Sequence, residues 1–206
     1  MSQGLTLSSV VLAAKTSLQE GQQKLQSQHA HGSPGIQVCA KLTDLADTVV
    51  GVLFTEAISD LAQLDQQTFG DLEDQVALVA HGGYGRRELA PFSDIDLMIL
   101  HRTAVTEHVS VLAERLLRDL SDTGLIVGHS LRTTRQALAL SLEDPHILTS
   151  LIESRHVCGN VELTQRLLGR LRKLTHRHAR GLLPVIDDAR REERRQYGET
   201  VYLLEP

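Results

Sequence analysis

The stretch VALVAHGGYGRRELAPFSDIDLMIL, running from Val76 to Leu100, decides how this chain is read. Val76 to Ala80 is apolar and short enough for a buried strand, and it stops at a Gly-Gly pair, Gly82 and Gly83. A second such strand is predicted from Asp94 to Leu100. Pro91 and Ser93 mark the tract between them as a loop, with room for a helical turn at Arg86 to Ala90. Side chains alternate across a strand, so Asp94 and Asp96 face one side and Ile95 the other. Two carboxylates side by side repel unless a cation sits between them. A hard ion such as Mg²⁺ suits them, because it takes oxygen ligands and shares its shell with substrate phosphates. Gly82 and Gly83 supply the complement, since backbone N–H groups without a neighbouring Cβ can approach a phosphate closely. No GxxxxGK[ST] is present, and GxGxxG spacing with its following helix is absent, so the expectation is a strand–loop–strand device.

Working outward, Leu7, Val11, Ala14, Leu18 and Leu25 recur at helical spacing and predict an amphipathic helix fading near Gln28. His29 to Gly35 reads as a solvated loop, which outweighs a metal role for His29 and His31. A second helix is predicted from Gln37 to Leu64, with Val38, Leu42, Leu45, Val49, Val52, Ile58 and Leu61 toward a core. Thr106 is expected to cap a helix with Val109, Leu112, Leu116 and Leu120 on its stripe, ended by Gly124. A third strand is predicted at Leu125 to Arg132 and a short helix at Thr134 to Leu142. Asp144 and Pro145 then open a helix through Ile152. Further helices are expected at Glu162 to Arg177 and Pro184 to Gln196, then a last strand from Thr200 to Glu205. His176 and His178 read as part of a basic helix end.

The chain is long enough for one α/β domain with a helical extension and a substantial core. A net charge of −5 disfavours a nucleic-acid partner, and the lack of tryptophan argues against base-stacking platforms. Cys39 and Cys158 carry no metal-ligand spacing and read as buried reduced thiols, which suits a cytoplasmic protein. No signal peptide and no bilayer-spanning run is expected.

Gly82-Gly83, a short loop and Asp94-Ile95-Asp96 together resemble the signature of the polymerase-β-type nucleotidyltransferase superfamily. Within it, GGYGRRELAPFSDIDLMIL is similar to the N-terminal domain of bacterial protein-PII uridylyltransferase/uridylyl-removing enzymes. GHSLRT from Gly128, LIESRHVCGN from Leu151 and YGETVYLLEP from Tyr197 agree in order. The resemblance implies an α/β fold: a small mixed-sheet nucleotidyltransferase core at 75–206, flanked by helices, after a helical extension at 1–74. It also implies Mg²⁺ held by Asp94 and Asp96, and phosphates cradled at Gly82 and Gly83 with Arg86 pairing to them. Ser93 offers a hydroxyl to the same site or caps its own strand; Arg132, in the segment with His129 and Ser130, reaches phosphate or is structural. Glu205 is the leading third carboxylate, with Asp187 and Asp188 as alternatives, and Glu153 and Arg155 are expected as an internal ion pair.

The implied reaction is transfer of UMP from UTP to a tyrosine of the PII signalling protein. Adenylyl transfer to another protein or small acceptor is the competing enzymatic reading. A non-catalytic nucleotide-binding or interaction module is the third, because Glu205 stands next to the last residue and the family pattern is expected to continue beyond it.

Overall fold

A computed structural model describes residues 7–102 and 106–197. Two long helices come first, α1 (Ser9–Ala30) and α2 (Gly35–Leu64). Ser8 caps the first by accepting the amide of Val11 at 3.2 Å. The helix outlasts its expected end, so His29 lies in its last turn and His31 just past it, each ring bonded to a nearby carbonyl. Along α2, Val38, Leu42, Val49, Ile58 and Leu61 are buried as predicted, whereas Val52 is 46% exposed. It lines a shallow surface groove between the two helices instead of entering the core.

After a one-turn helix α3 (Gln66–Phe69) and a 3-10 turn (Glu73–Gln75), strand β1 (Val76–Ala80) begins where expected. The turn that follows differs from the expectation. Gly82–Gly85 winds into a single helical turn, α4, and Arg86 to Ala90 is non-helical. Strand β2 (Ile95–His101) starts one residue later than predicted, after the exposed Asp94. Helix α5 (Thr106–Thr123) buries Val109, Leu112, Leu116 and Leu120 and stops at Gly124, whose φ of +97° is the left-handed ending that glycine favours.

Strand β3 (Val127–Thr133) leads into α6 (Thr134–Glu143) through a capping box, in which Thr133 and Gln136 satisfy each other's backbone amides. Asp144 caps α7 (Pro145–Ile152) through the amide of His146 at 2.8 Å. A fourth strand, β4 (Arg155–Gly159), was not anticipated. Helix α8 (Val161–Tyr197) is continuous through Pro184, where two helices were expected. Proline removes one amide donor and crowds the preceding turn, but at this exposed position the helix carries on. The predicted strand from Thr200 to Glu205 lies outside the described residues.

The sheet order is β3-β2-β1-β4, with β1 antiparallel to both neighbours and β2 parallel to β3. All five residues of β1 are buried, as a central strand covered on both faces requires. One face, with Leu78, Ile95, Leu97 and Ile99, packs against α1, α2 and α5 in a single core. Ala77, Val79, Met98 and Leu100 on the other face pack against α6, α7 and α8. Side chains such as Leu53 and Leu112 are fully buried, each worth roughly 1.5–3 kcal/mol of transfer free energy. Among the described residues, no helix is long and apolar enough to cross a membrane.

Candidate active site

The site lies where the C-terminal end of β1 meets the N-terminal ends of β2 and β3. The amide of His81 donates to the carbonyl of Asp96 at 3.1 Å, which holds the glycine turn beside β2. On the opposite edge of β2, the parallel register sets Asp96 against Gly128. A Cβ added at Gly128 would stand 2.7 Å from Asp96 Oδ1 and 3.6 Å from Asp94 Oδ2. One added at Gly82 would stand 2.9 Å from Asp96 Oδ2. The Asp96 carboxylate therefore sits between two glycine backbones, and Asp94 reaches over the same surface. This bears out the same-face reading of the two aspartates and adds Gly128, which sequence reasoning missed.

A cavity of about 300 Å³ opens beside Asp96. His81, Ser130, Arg132, His146 and Ser150 line it together with Asp96, while Met98, Ala137, Ile147 and Leu151 supply apolar walls. Arg132 and Ser130 thus join the carboxylates, placed there by the alternation of β3; His129 points to the other side and is exposed. His81 Nδ1 lies 2.8 Å from Ser150 Oγ, which fixes the ring. Burial lowers the His81 pKa, Asp96 opposes that shift and Arg132 adds to it, so the ring is predominantly neutral at neutral pH.

Other predicted residues are placed differently. Arg86 donates to Glu88 and Glu153 at 2.6 Å each, and these partners hold its guanidinium firmly charged. Glu153 is thereby engaged, and Arg155 bonds Asp47 at 2.8 Å, so the expected Glu153–Arg155 pair does not form. The partners lie far away in sequence, which local spacing cannot show. Ser93 is exposed and donates its hydroxyl to the carbonyl of Ala90 at 2.9 Å, closing the loop before Asp94. Asp187 pairs with Arg191 at 2.7 Å on the exposed surface of α8, where Asp188 is also exposed. Glu205 lies outside the described residues. Cys39 and Cys158 are free and half-buried; burial, aided by the charges of Asp47 and Glu73, pushes the Cys158 thiol up to about 12.

Among the described residues, no three His, Cys, Asp or Glu side chains come together as a metal cluster. Two carboxylates over a surface kept open by glycine still fit a hard dication that retains waters and takes its other ligands from phosphate oxygens.

A family model described as glutamate-ammonia ligase adenylyltransferase matches residues 23–122, a span that includes α2, the glycine turn and both aspartates. The bifunctional uridylyltransferase/uridylyl-removing enzyme of Phenylobacterium zucineum (strain HLK1) is 34% identical over 193 residues, 93% of this chain and 20% of that protein. The enzyme of the same name from Azospirillum brasilense is 37% identical over 166 residues, 79% of this chain and 17% of its own length. That from Pseudomonas putida (strain W619) is 47% identical over 103 residues, half of this chain and 11% of the relative. The chain spans about a fifth of the length of the relatives that match most of it. Both descriptions are of nucleotidyltransferases. The chain is a homologue, over most of its own length, of the bifunctional uridylyltransferase/uridylyl-removing enzymes.

Proposed function

We propose that this chain is an Mg²⁺-dependent nucleotidyltransferase unit that moves UMP from UTP to a protein hydroxyl, with a tyrosine of the PII signalling protein as acceptor. The observation that carries it is the seating of Asp96 between Gly82 and Gly128, with Asp94 over the same surface and Arg132 in the adjoining cavity. Asp94 and Asp96 would hold the ion, which supplies charge neutralisation at the triphosphate and lowers the pKa of the attacking hydroxyl. The chain's own groups do the rest. The first turn of a helix leaves amides outside the intrahelical ladder, so α4 presents backbone N–H groups at the triphosphate. Arg132 adds a fixed positive charge on the cavity wall. The acceptor oxygen bonds the α-phosphorus as the bond to the bridging oxygen breaks and pyrophosphate leaves.

Uridylyl transfer is favoured because named uridylyltransferases match 93% of the chain at 34% identity and 96% of it at 30%. Incubation with Mg²⁺, labelled UTP and PII tests it. Label on PII is expected; an unlabelled PII, under conditions where a longer family member labels it, would overturn the activity for this chain. Adenylyl transfer is the second reading, favoured by the adenylyltransferase family model over 23–122. In a calorimetric competition, ATP binding more tightly than UTP would select it.

A further inference from the structure

The glycine turn is held from a distance by helix α2. Of the four residues in Gly82-Gly83-Tyr84-Gly85, three lack a side chain, so Tyr84 is the turn's single side-chain anchor. A one-turn helix cannot hold its own geometry, because nucleation is unfavourable and glycine has the most conformational freedom to lose. What grips Tyr84 therefore sets where the Gly82 and Gly83 amides lie. Its ring is 1% exposed, and its hydroxyl donates to Asp47 Oδ1 at 2.6 Å. Arg155 completes the grip: Nη1 and Nη2 donate to the two oxygens of Asp47 at 2.8 Å each, and Nη2 also donates to the Tyr84 carbonyl at 3.3 Å. The guanidinium carbon lies 5.0 Å from the Tyr84 ring centroid, within cation–π range. Arg155 Nε is buried with no hydrogen-bond partner among the described residues, so this cation depends on Asp47 for its compensation.

We infer that Asp47 is a positioning residue for the nucleotide, acting through Tyr84 to hold the phosphate-facing turn in register with Asp96. This rests on the nucleotidyltransferase reading above. Asp47 lies 35 positions before Gly82, in a part of the chain where the sequence shows no motif of its own.

The test compares Asp47→Ala, Asp47→Asn and Tyr84→Phe with Val50→Ala, a fully buried residue of the same helix that packs in the core. Each variant of the 206-residue chain is titrated calorimetrically with UTP and Mg²⁺, and amide exchange is followed at Gly82 and Gly83. Asp47→Ala is expected to weaken UTP binding about tenfold or more, a misplacement effect on fixed donors. Asp47→Asn, which keeps an acceptor for the Tyr84 hydroxyl, should recover part of that loss. Val50→Ala should lower the melting temperature and leave the affinity unchanged. Equal affinities for Asp47→Ala and Val50→Ala would overturn the inference. If the unmutated chain fails to bind Mg²⁺ and UTP, the nucleotidyltransferase reading falls. The clamp is then decided by exchange alone: faster exchange at Gly82 and Gly83 in Asp47→Ala but not Val50→Ala supports it, and unchanged exchange overturns it.

Discussion

Replacing Gly128 by alanine should separate catalysis from stability. The new Cβ would stand 2.7 Å from Asp96 Oδ1, against an ordinary contact limit of 3.4 Å. The carboxylate must therefore move by about 0.7 Å, while Asp94 Oδ2, at 3.6 Å from the same Cβ, is in ordinary contact and need not move. The clashing atom is the far end of a side chain, so a χ rotation relieves it, and the backbone stays in a strand conformation that alanine accepts. Loss of glycine's unfolded-state entropy then offsets the rotation, and stability should change by less than about 1 kcal/mol. Activity should not be spared. Misplacement of a reacting group by about 1 Å costs on the order of 10²-fold, so kcat/KM for UMP transfer should fall by roughly 30- to 100-fold. The assay is transfer of labelled UMP beside thermal unfolding of the same preparation. A folded Gly128→Ala protein within about threefold of normal activity would refute the seating of Asp96 as the site's organising feature.

Three further outcomes follow from the same geometry. Asp96→Asn should leave the melting temperature nearly unchanged while transfer falls by about 10²–10³-fold, the scale of losing one electrostatic stabiliser; retained turnover would remove Asp96 from the chemistry. Gly85→Ala should destabilise by about 1–3 kcal/mol, because its Cβ would meet the Glu153 and Ala80 carbonyl oxygens at 2.5 and 3.1 Å. Gly83→Ala, with nothing closer than 3.8 Å, should fold normally and lose UTP affinity, and equal melting temperatures for the two would contradict this packing. His156 is half-buried with its Nδ1 3.0 Å from Thr164 Oγ1, and burial lowers its pKa below the usual 6.5. The unfolded chain then binds this proton more readily, so the contribution to stability is present above about 6.5 and is lost as pH falls toward the folded value. The urea midpoint should drop more between pH about 7.5 and about 5.5 than it does in His156→Gln; equal drops would exclude His156 as a source.

The parts of this fold that were legible are those whose signals are local. Strand β1 is an unbroken apolar run closed by a glycine pair, and α5 carries a regular stripe with a glycine stop. Strand β4 escapes the sequence reading because Arg155 and His156 carry polar groups satisfied by partners outside the strand, Asp47 and Thr164, and no hydrophobic alternation announces them. The sequence reads as two helices, Glu162 to Arg177 and Pro184 to Gln196, whereas α8 runs through Pro184, whose exposed position lets the helix carry on. The two aspartates were recognisable by their spacing. Gly128 became meaningful only through the β2–β3 register, and His81 and Ser150 only through their contact across the cavity.

The mixed pairing of the sheet orders the assembly of the site in time. Strands β1 and β2 form an antiparallel pair close in sequence, so the turn and the aspartates come together at small loop-closure cost. Gly128 arrives on a parallel strand, which must wait for the whole crossover through α5 to be laid against the sheet. A chain that has formed the hairpin therefore has the carboxylates but not Gly128 beside them, and the α7 residues that line the cavity, His146 and Ser150 among them, come later still.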